Sequence, residues 1–278
     1  MQLLAILLAY SLERSVTLSR NLHWRRIVLR WQQWQVKKTQ VGGDSQEKIA
    51  QWRQHLLGEI VWAVLPALII TFVVTLVDSF LLSFVIAVLA LLATMQCGAA
   101  RAAYKAYLEA ANSGDTAAAA EQLRQLRRAA GRHEAAPVHD LLLWVHLRYY
   151  FAPLLYYVIF GVFGVLAYAT LRDMKHPRNK AWTQLQLVVH WLPTRIMSFG
   201  FLMVGNFGKA LPVWLSSVGN TPQNNFEALS KIAAAAEHLE PSHDDDITST
   251  ALTTVALLKR NLLFFIVLLA VMTIAGWF

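Results

Sequence analysis

Residues Ile60 to Cys97 read IVWAVLPALIITFVVTLVDSFLLSFVIAVLALLATMQC, an apolar run with one charged side chain, Asp78, at its midpoint. A helix rises about 1.5 Å per residue and the hydrocarbon core of a bilayer is about 30 Å thick, so one crossing needs about 20 apolar residues. This run is roughly twice that long. It reads as a membrane hairpin, with Asp78 and Ser79 turning the chain at the far headgroups so that both ends return to one side. A buried hairpin in a soluble protein is the alternative, but it calls for a polar face that this run lacks.

The whole composition agrees. Of 278 residues, 56% are hydrophobic and 15% charged, against about 25% charged in globular domains, and the mean hydropathy is +0.41. An ordinary soluble domain is excluded. The formal net charge of +8 is assigned to cytoplasmic loops and anionic headgroups rather than to nucleic acid. One cysteine, Cys97, rules out an internal disulfide. The opening MQLLAILLAYSLERS has no basic segment before its apolar run and no small-residue cleavage site after it, so no cleavable signal is expected.

Six segments follow: a basic, Trp-rich interfacial arm (1–58), the hairpin (59–98), a soluble helical pair (99–148), membrane segments with a polar cavity (149–207), a polar acidic segment (208–261) and a C-terminal membrane helix (262–278). Met1 to Leu12 is too short to span fully and is either a tilted partial span or, preferably, a helix in the interface. In the arm, Arg20, Arg25, Arg26, Arg30, Lys37 and Lys38 interleave with Trp24, Trp31, Trp34 and Trp52. Such interleaving stacks single-stranded nucleic acid elsewhere, but beside a membrane span it marks an interfacial amphipathic helix. Gly42-Gly43-Asp44-Ser45 reads as a turn and Ser45 to Leu57 as a second short helix.

After the hairpin, Ala-rich residues 99–135 form two helices parted by Asn112-Ser113-Gly114-Asp115, with Gly114 closing the first and Asp115 capping the second. Arg101, Lys105, Arg124, Arg127, Arg128 and Arg132 make this pair basic. The positive-inside rule therefore places it, with the arm, in the cytoplasm. Residues 149–171 are the next span, with Gly161 and Gly164 read as helix-packing sites. A basic link, Arg172 to Lys180, leads to TQLQLVVHWLPTRIMSFGFLMVGNFG (183–208), apolar but carrying His190, Arg195 and Asn206. Polar groups at membrane depth are expensive, so this helix is buried in protein, re-entrant or lining a polar cavity. An outward crossing by 149–171 sets the basic link on the wrong side of the charge rule; residues 183–207 then either return or re-enter, and the side of 208–258 stays open.

No G-x-x-x-x-G-K-[ST], H-E-x-x-H or G-x-S-x-G motif is present. His238, His243 and Asp244 to Asp246 match no metal-ligand spacing, and an acidic loop capping the following helix is the preferred reading. No metal and no cofactor are expected. His190 and Arg195 are five residues apart around Pro193, which points either to a structural kink or to an anion-binding cavity.

Several short runs carry a resemblance. In order they are the apolar hairpin, Ala110-Ala111-Asn112-Ser113-Gly114-Asp115, Phe151-Ala152-Pro153-Leu154-Leu155-Tyr156-Tyr157, Gly161 to Tyr168, and Trp191-Leu192-Pro193-Thr194-Arg195. Over most of its length the chain resembles the AmpE family of bacterial inner-membrane proteins. That family is itself similar to the cobalamin-pathway synthases that join an aminopropanol unit to cobyric acid. Those synthases carry N-T-L-D-S-M, a D-D-x-x-N pair ahead of W-I-P-A-R, and an acid and amide ahead of A-P-L. Here the matching positions hold Ala169-Thr170-Leu171-Arg172-Asp173-Met174, then Gln186, Leu187 and His190, then Trp144, Val145 and Arg148. Nearly every carboxylate is gone, and a ligase that activates a carboxylate with a nucleotide needs metal-holding acids. The resemblance thus implies a pseudoenzyme: a multi-pass inner-membrane protein that signals in β-lactamase induction, antibiotic resistance and cell-wall recycling.

The expected fold is all-α: a polytopic helical membrane protein with an apolar hairpin, two or three further membrane helices and a cytoplasmic helical pair. No catalytic residue is assigned; the candidate ligand-binding residues are His190, Trp191, Arg195, Asn206, Arg172 and Asp173. Expected partners are membrane lipids and a cell-wall recycling amidase or another inner-membrane protein, with no nucleic acid. A synthase-type ligase is the alternative, and a small transporter, suggested by polar residues at membrane depth, is the third reading.

Overall fold

A computed structural model describes residues 2–15, 23–40, 56–77, 79–132, 134–174, 180–219, 225–237 and 247–277. The expected turn at Gly42 to Ser45, nearly all of the short helix that follows it, Asp78, residues 175–179 of the basic link and the His238 to Asp246 run lie outside the described residues.

The described residues form helices and connections and no strand. The helices are α1 (Gln2–Ser15), α2 (Trp24–Gln40), α3 (Leu56–Val77), α4 (Phe80–Thr94), α5 (Gly98–Asn112), α6 (Thr116–Ala130), α7 (Val138–His146), α8 (Ala152–Asp173), α9 (Lys180–Val204), α10 (Phe207–Val218), α11 (Asn225–Glu237) and α12 (Ile247–Ile274). Among them Gly58–Val77, Val138–Asp173, Ala181–Val204 and Ser249–Ile274 are long and apolar enough to cross a bilayer, and Phe80–Thr94 with Gly98–Asn112 adds a fifth if it is one broken span. The fold is all-α and polytopic. The chain forms two compact units: one holds Met1–Gln96 and Ala152–Val189, the other Cys97–Phe151 and His190–Phe278.

In the first unit, α3 has 22 residues, about 33 Å, and spans the core alone, whereas the 15 residues of α4, about 22 Å, fall short of it. The two arms of the hairpin pack less against each other than each does against α8. Their outer faces are strongly apolar: Phe72, Leu76 and Leu81 are 63%, 66% and 71% exposed. Such a surface is an aggregation liability in water and ordinary in lipid. Ser79 caps the start of α4, its Oγ accepting from the Leu82 N–H at 3.5 Å. Where the helix ends at Thr94, side-chain donors satisfy its last carbonyls: Gln96 Nε2 to Leu92 O at 3.1 Å and Arg172 Nη1 to Thr94 O at 3.1 Å. The short α1 buries Ala5, Ile6 and Ala9 and packs against α4 and α8.

Two prolines inside long helices each leave a carbonyl without its helical donor, because proline has no N–H to give to residue i−4. Pro66 frees Trp62 O, which accepts from Trp31 Nε1 at 3.2 Å. Pro193 frees Val189 O, which accepts from the Tyr156 hydroxyl at 2.8 Å. An aromatic donor from another segment closes each gap in a medium that supplies no water.

The two glycines of α8 serve ends other than helix–helix packing. Gly161 breaks the helix at φ 63°, ψ −148°, a conformation open to glycine and strained for other residues. The break brings the Tyr156 carbonyl and the Phe160 Cβ so close to Gly164 that a side chain there has no room.

The second unit begins with the α5/α6 antiparallel pair. Asp115 Oδ1 caps α6 through the Ala118 N–H at 2.9 Å, and Gly114 adopts the left-handed φ of 73° just past α5. At the far end of α6, Gly131 turns at φ 70°, and Arg148 Nη1 donates to Ala130 O at 2.6 Å. The apolar helix after this pair starts at Val138, ahead of the tyrosines at 149, and runs through a π-helical turn, Leu147–Phe151, into α8. Pro153 follows that turn, and its missing N–H together with the ring's crowding of the preceding turn accounts for the wider winding. Helix α12 packs against α5, α7 and α11, and Arg260 pairs with Glu237 at 2.6 Å.

Candidate functional site

The candidate residues of the sequence fall into two groups. Arg172 and Asp173, at the end of α8, are both buried in the first unit. Arg172 Nε and Nη2 donate to the two oxygens of Asp173 at 3.0 and 2.9 Å, and its Nη1 holds the end of α4. A planar guanidinium matched to a carboxylate in this fork geometry is the strong form of an ion pair. Close by, Gln186 Nε2 donates to Leu171 O at 2.6 Å and Met174 O at 3.2 Å, capping α8. Trp24 Nε1 reaches Thr170 Oγ1 at 3.0 Å. These polar side chains tie helix ends together.

His190, Trp191 and Arg195 lie on α9 in the second unit. His190 is buried and stacks on Trp144 at 5.3 Å, and Trp144 meets Phe226 edge-on at 5.7 Å. Arg195 is 5% exposed, with its guanidinium carbon 5.6 Å from the centre of the Trp191 ring, a cation–π distance. The Arg195 carbonyl accepts from Trp214 Nε1 at 3.3 Å and from the Ser198 hydroxyl at 3.1 Å. Asn206 stands apart from these: it is exposed, and its Oδ1 caps α10 through the Lys209 N–H at 3.1 Å.

The structure also reveals a buried polar set that sequence reasoning passed over: Thr194 and Ser198 on α9, Asn225 on α11, and Thr250, Thr254 and Asn261 on α12. Spacing was the available signal, since 190, 194 and 198 recur every four residues, as do 250 and 254, and each series therefore lies on one helix face. The hydroxyls of Thr194 and Thr254 bond back to the carbonyls of His190 and Thr250 at 2.7 and 2.8 Å, so they pass in an apolar medium at little cost. Asn261 reaches across: its Nδ2 donates to Met197 O at 3.1 Å, and its Oδ1 occupies the place where a Cβ on Gly200 would stand. Small residues at such crossings let helices approach closely, and an amide there binds them together.

The second group thus brings together a guanidinium and aromatic ring faces. Among the described residues no group of three or more His, Cys, Asp or Glu is placed to hold a metal ion.

Fold and site together define a polytopic all-α membrane protein with buried polar side chains on its spanning helices. Residues 14–278 match the family model described as regulatory signalling modulator protein AmpE. The chain belongs to the AmpE family and is a regulatory membrane protein. Protein AmpE of Shigella flexneri is 28% identical over 199 residues, which cover 64% of this chain and 69% of that protein. No solved structure matches.

Proposed function

We propose that this chain is a non-enzymatic sensor of the bacterial inner membrane that links cell-wall recycling to β-lactamase induction. The observation that carries the proposal is the burial of Arg195 in an apolar helix. An ionisable side chain at membrane depth is expensive and is kept for function. Its cation and the Trp191 ring beside it, with His190 on the same helix, suit an anionic ligand or an anionic patch of a partner. Arg172 and Asp173 hold helix ends within the first unit and Asn206 caps α10 in the second, in keeping with a supporting role. The effector is a cell-wall recycling amidase or another inner-membrane protein. Replacement of Arg195 by Ala abolishes the induction response while the protein accumulates normally; an unchanged response at normal levels contradicts the proposal.

The retained Trp191 to Arg195 run also fits a ligase of the cobinamide-phosphate synthase type. That reading predicts nucleotide- and Mg²⁺-dependent turnover by the purified protein, and absence of both binding and turnover removes it.

A further inference from the structure

Helix α2 packs against α4 and α8 and is pinned by two indole N–H groups, Trp24 to Thr170 Oγ1 at 3.0 Å and Trp31 to Trp62 O at 3.2 Å. Between these pins lies an open cavity of about 400 Å³, lined by Trp24, Val28, Arg30, Trp31, Trp34 and Pro66 among others. That volume falls within the range of small-molecule sites. Its wall is almost wholly apolar, the rings of Trp31 and Trp34 stack with centroids 5.1 Å apart, and among the described lining residues Arg30 is the charged one.

The sequence of α2, WRRIVLRWQQWQVKKTQ, contains three arginines, two lysines and no carboxylate. An aromatic-walled cavity with one exposed guanidinium, on a wholly cationic helix packed beside a membrane span, matches one kind of molecule. It needs an apolar chain to fill the cavity and a negative headgroup to meet the charge. We propose that this cavity binds one anionic phospholipid, with an acyl chain against Trp31, Trp34 and Pro66 and the phosphate on the guanidinium of Arg30. Indole rings favour the headgroup depth at which such a phosphate lies, and clustered Lys and Arg attract anionic over zwitterionic lipid. A free phosphate would meet Arg30 but leave the apolar wall uncovered.

The test is native mass spectrometry of the full chain in detergent, titrated with phosphatidylglycerol and, separately, with phosphatidylcholine. One phosphatidylglycerol is expected to bind about fivefold more tightly than phosphatidylcholine. Arg30→Gln is expected to remove that preference, and Trp34→Ala to weaken both lipids alike. Arg124→Gln, on exposed α6, serves as the control and leaves both unchanged. Arg30 and Trp34 are exposed, and a melting temperature equal to that of the parent establishes that each variant is folded. Equal affinity for the two lipids, or a preference that survives Arg30→Gln, overturns the proposal. Displacement of the lipid by millimolar inorganic phosphate also overturns it, because the acyl chain would then contribute nothing.

Discussion

Two arginines are buried to the same degree, Arg172 and Arg195 at 5% exposure each, and they are held by different chemistry. Arg172, in the first unit, is forked onto the carboxylate of its chain neighbour Asp173 and donates its remaining nitrogen to the last carbonyl of α4. Its charge is neutralised on the spot and spent on joining two helices. Arg195, in the second unit, lies against the face of Trp191 on its own helix. A ring face attracts a cation through its quadrupole rather than through a carboxylate. The first arrangement joins two helix ends through an ion pair, and the second sets a cation against a ring face on one helix.

The contrast is sharpest where Asp173→Ala leaves Arg172 buried without its carboxylate. Breaking a buried pair from one side costs about 3–5 kcal/mol, so this variant should largely disappear from membranes in a quantitative immunoblot. Replacing both Arg172 and Asp173 by Leu should recover most of the protein. If Asp173→Ala accumulates normally, the pair does not hold the fold.

A smaller effect is expected from Trp31→Phe, which keeps the ring and removes the donor to Trp62 O. An unsatisfied buried carbonyl costs about 1–3 kcal/mol. The thermal midpoint in detergent should fall, and fall less in a Pro66→Ala background, where the helix regains its own N–H for that carbonyl. An equal fall in both backgrounds would mean that the proline gap is not what Trp31 closes. Smallest is Asn261→Ala in the second unit, since amide bonds between membrane helices average about 0.6 kcal/mol. A large thermal shift there would make Asn261 as structural as Arg172 and erase the contrast between the units.

Local signals were legible in the residues themselves. The length of the apolar run marks two successive apolar helices, α3 and α4, and Gly114 and Asp115 mark a turn that the helix ends confirm atom by atom. The presence of His190 and Arg195 within an apolar helix was equally plain. What escaped depends on distant contacts. Arg172 caps a helix 78 residues earlier in the chain, and Trp31 closes a proline gap 31 residues later; neither spacing leaves a periodic trace. Hydropathy counts His146 and Arg148 as interruptions, so the sequence places the start of the span at Tyr149 although the helix begins at Val138. In the fold His146 stacks on Tyr150 at 5.3 Å, and Arg148 caps α6. Gly161 looked like a packing residue because sequence does not report φ. The six candidate residues divided for the same reason: residue type marked them as polar in an apolar setting, and geometry alone separates those that bind helix ends from those that face rings.

The decisive measurement pairs Arg195→Ala with Arg195→Lys in cells that carry an inducible β-lactamase, scoring induction and protein level together. Loss of induction is expected with Ala, at least partial retention with Lys, and parental protein levels in both. Parental induction with Ala, or a loss that merely follows a fall in protein, would contradict that expectation and leave Arg195 a structural residue like Arg172.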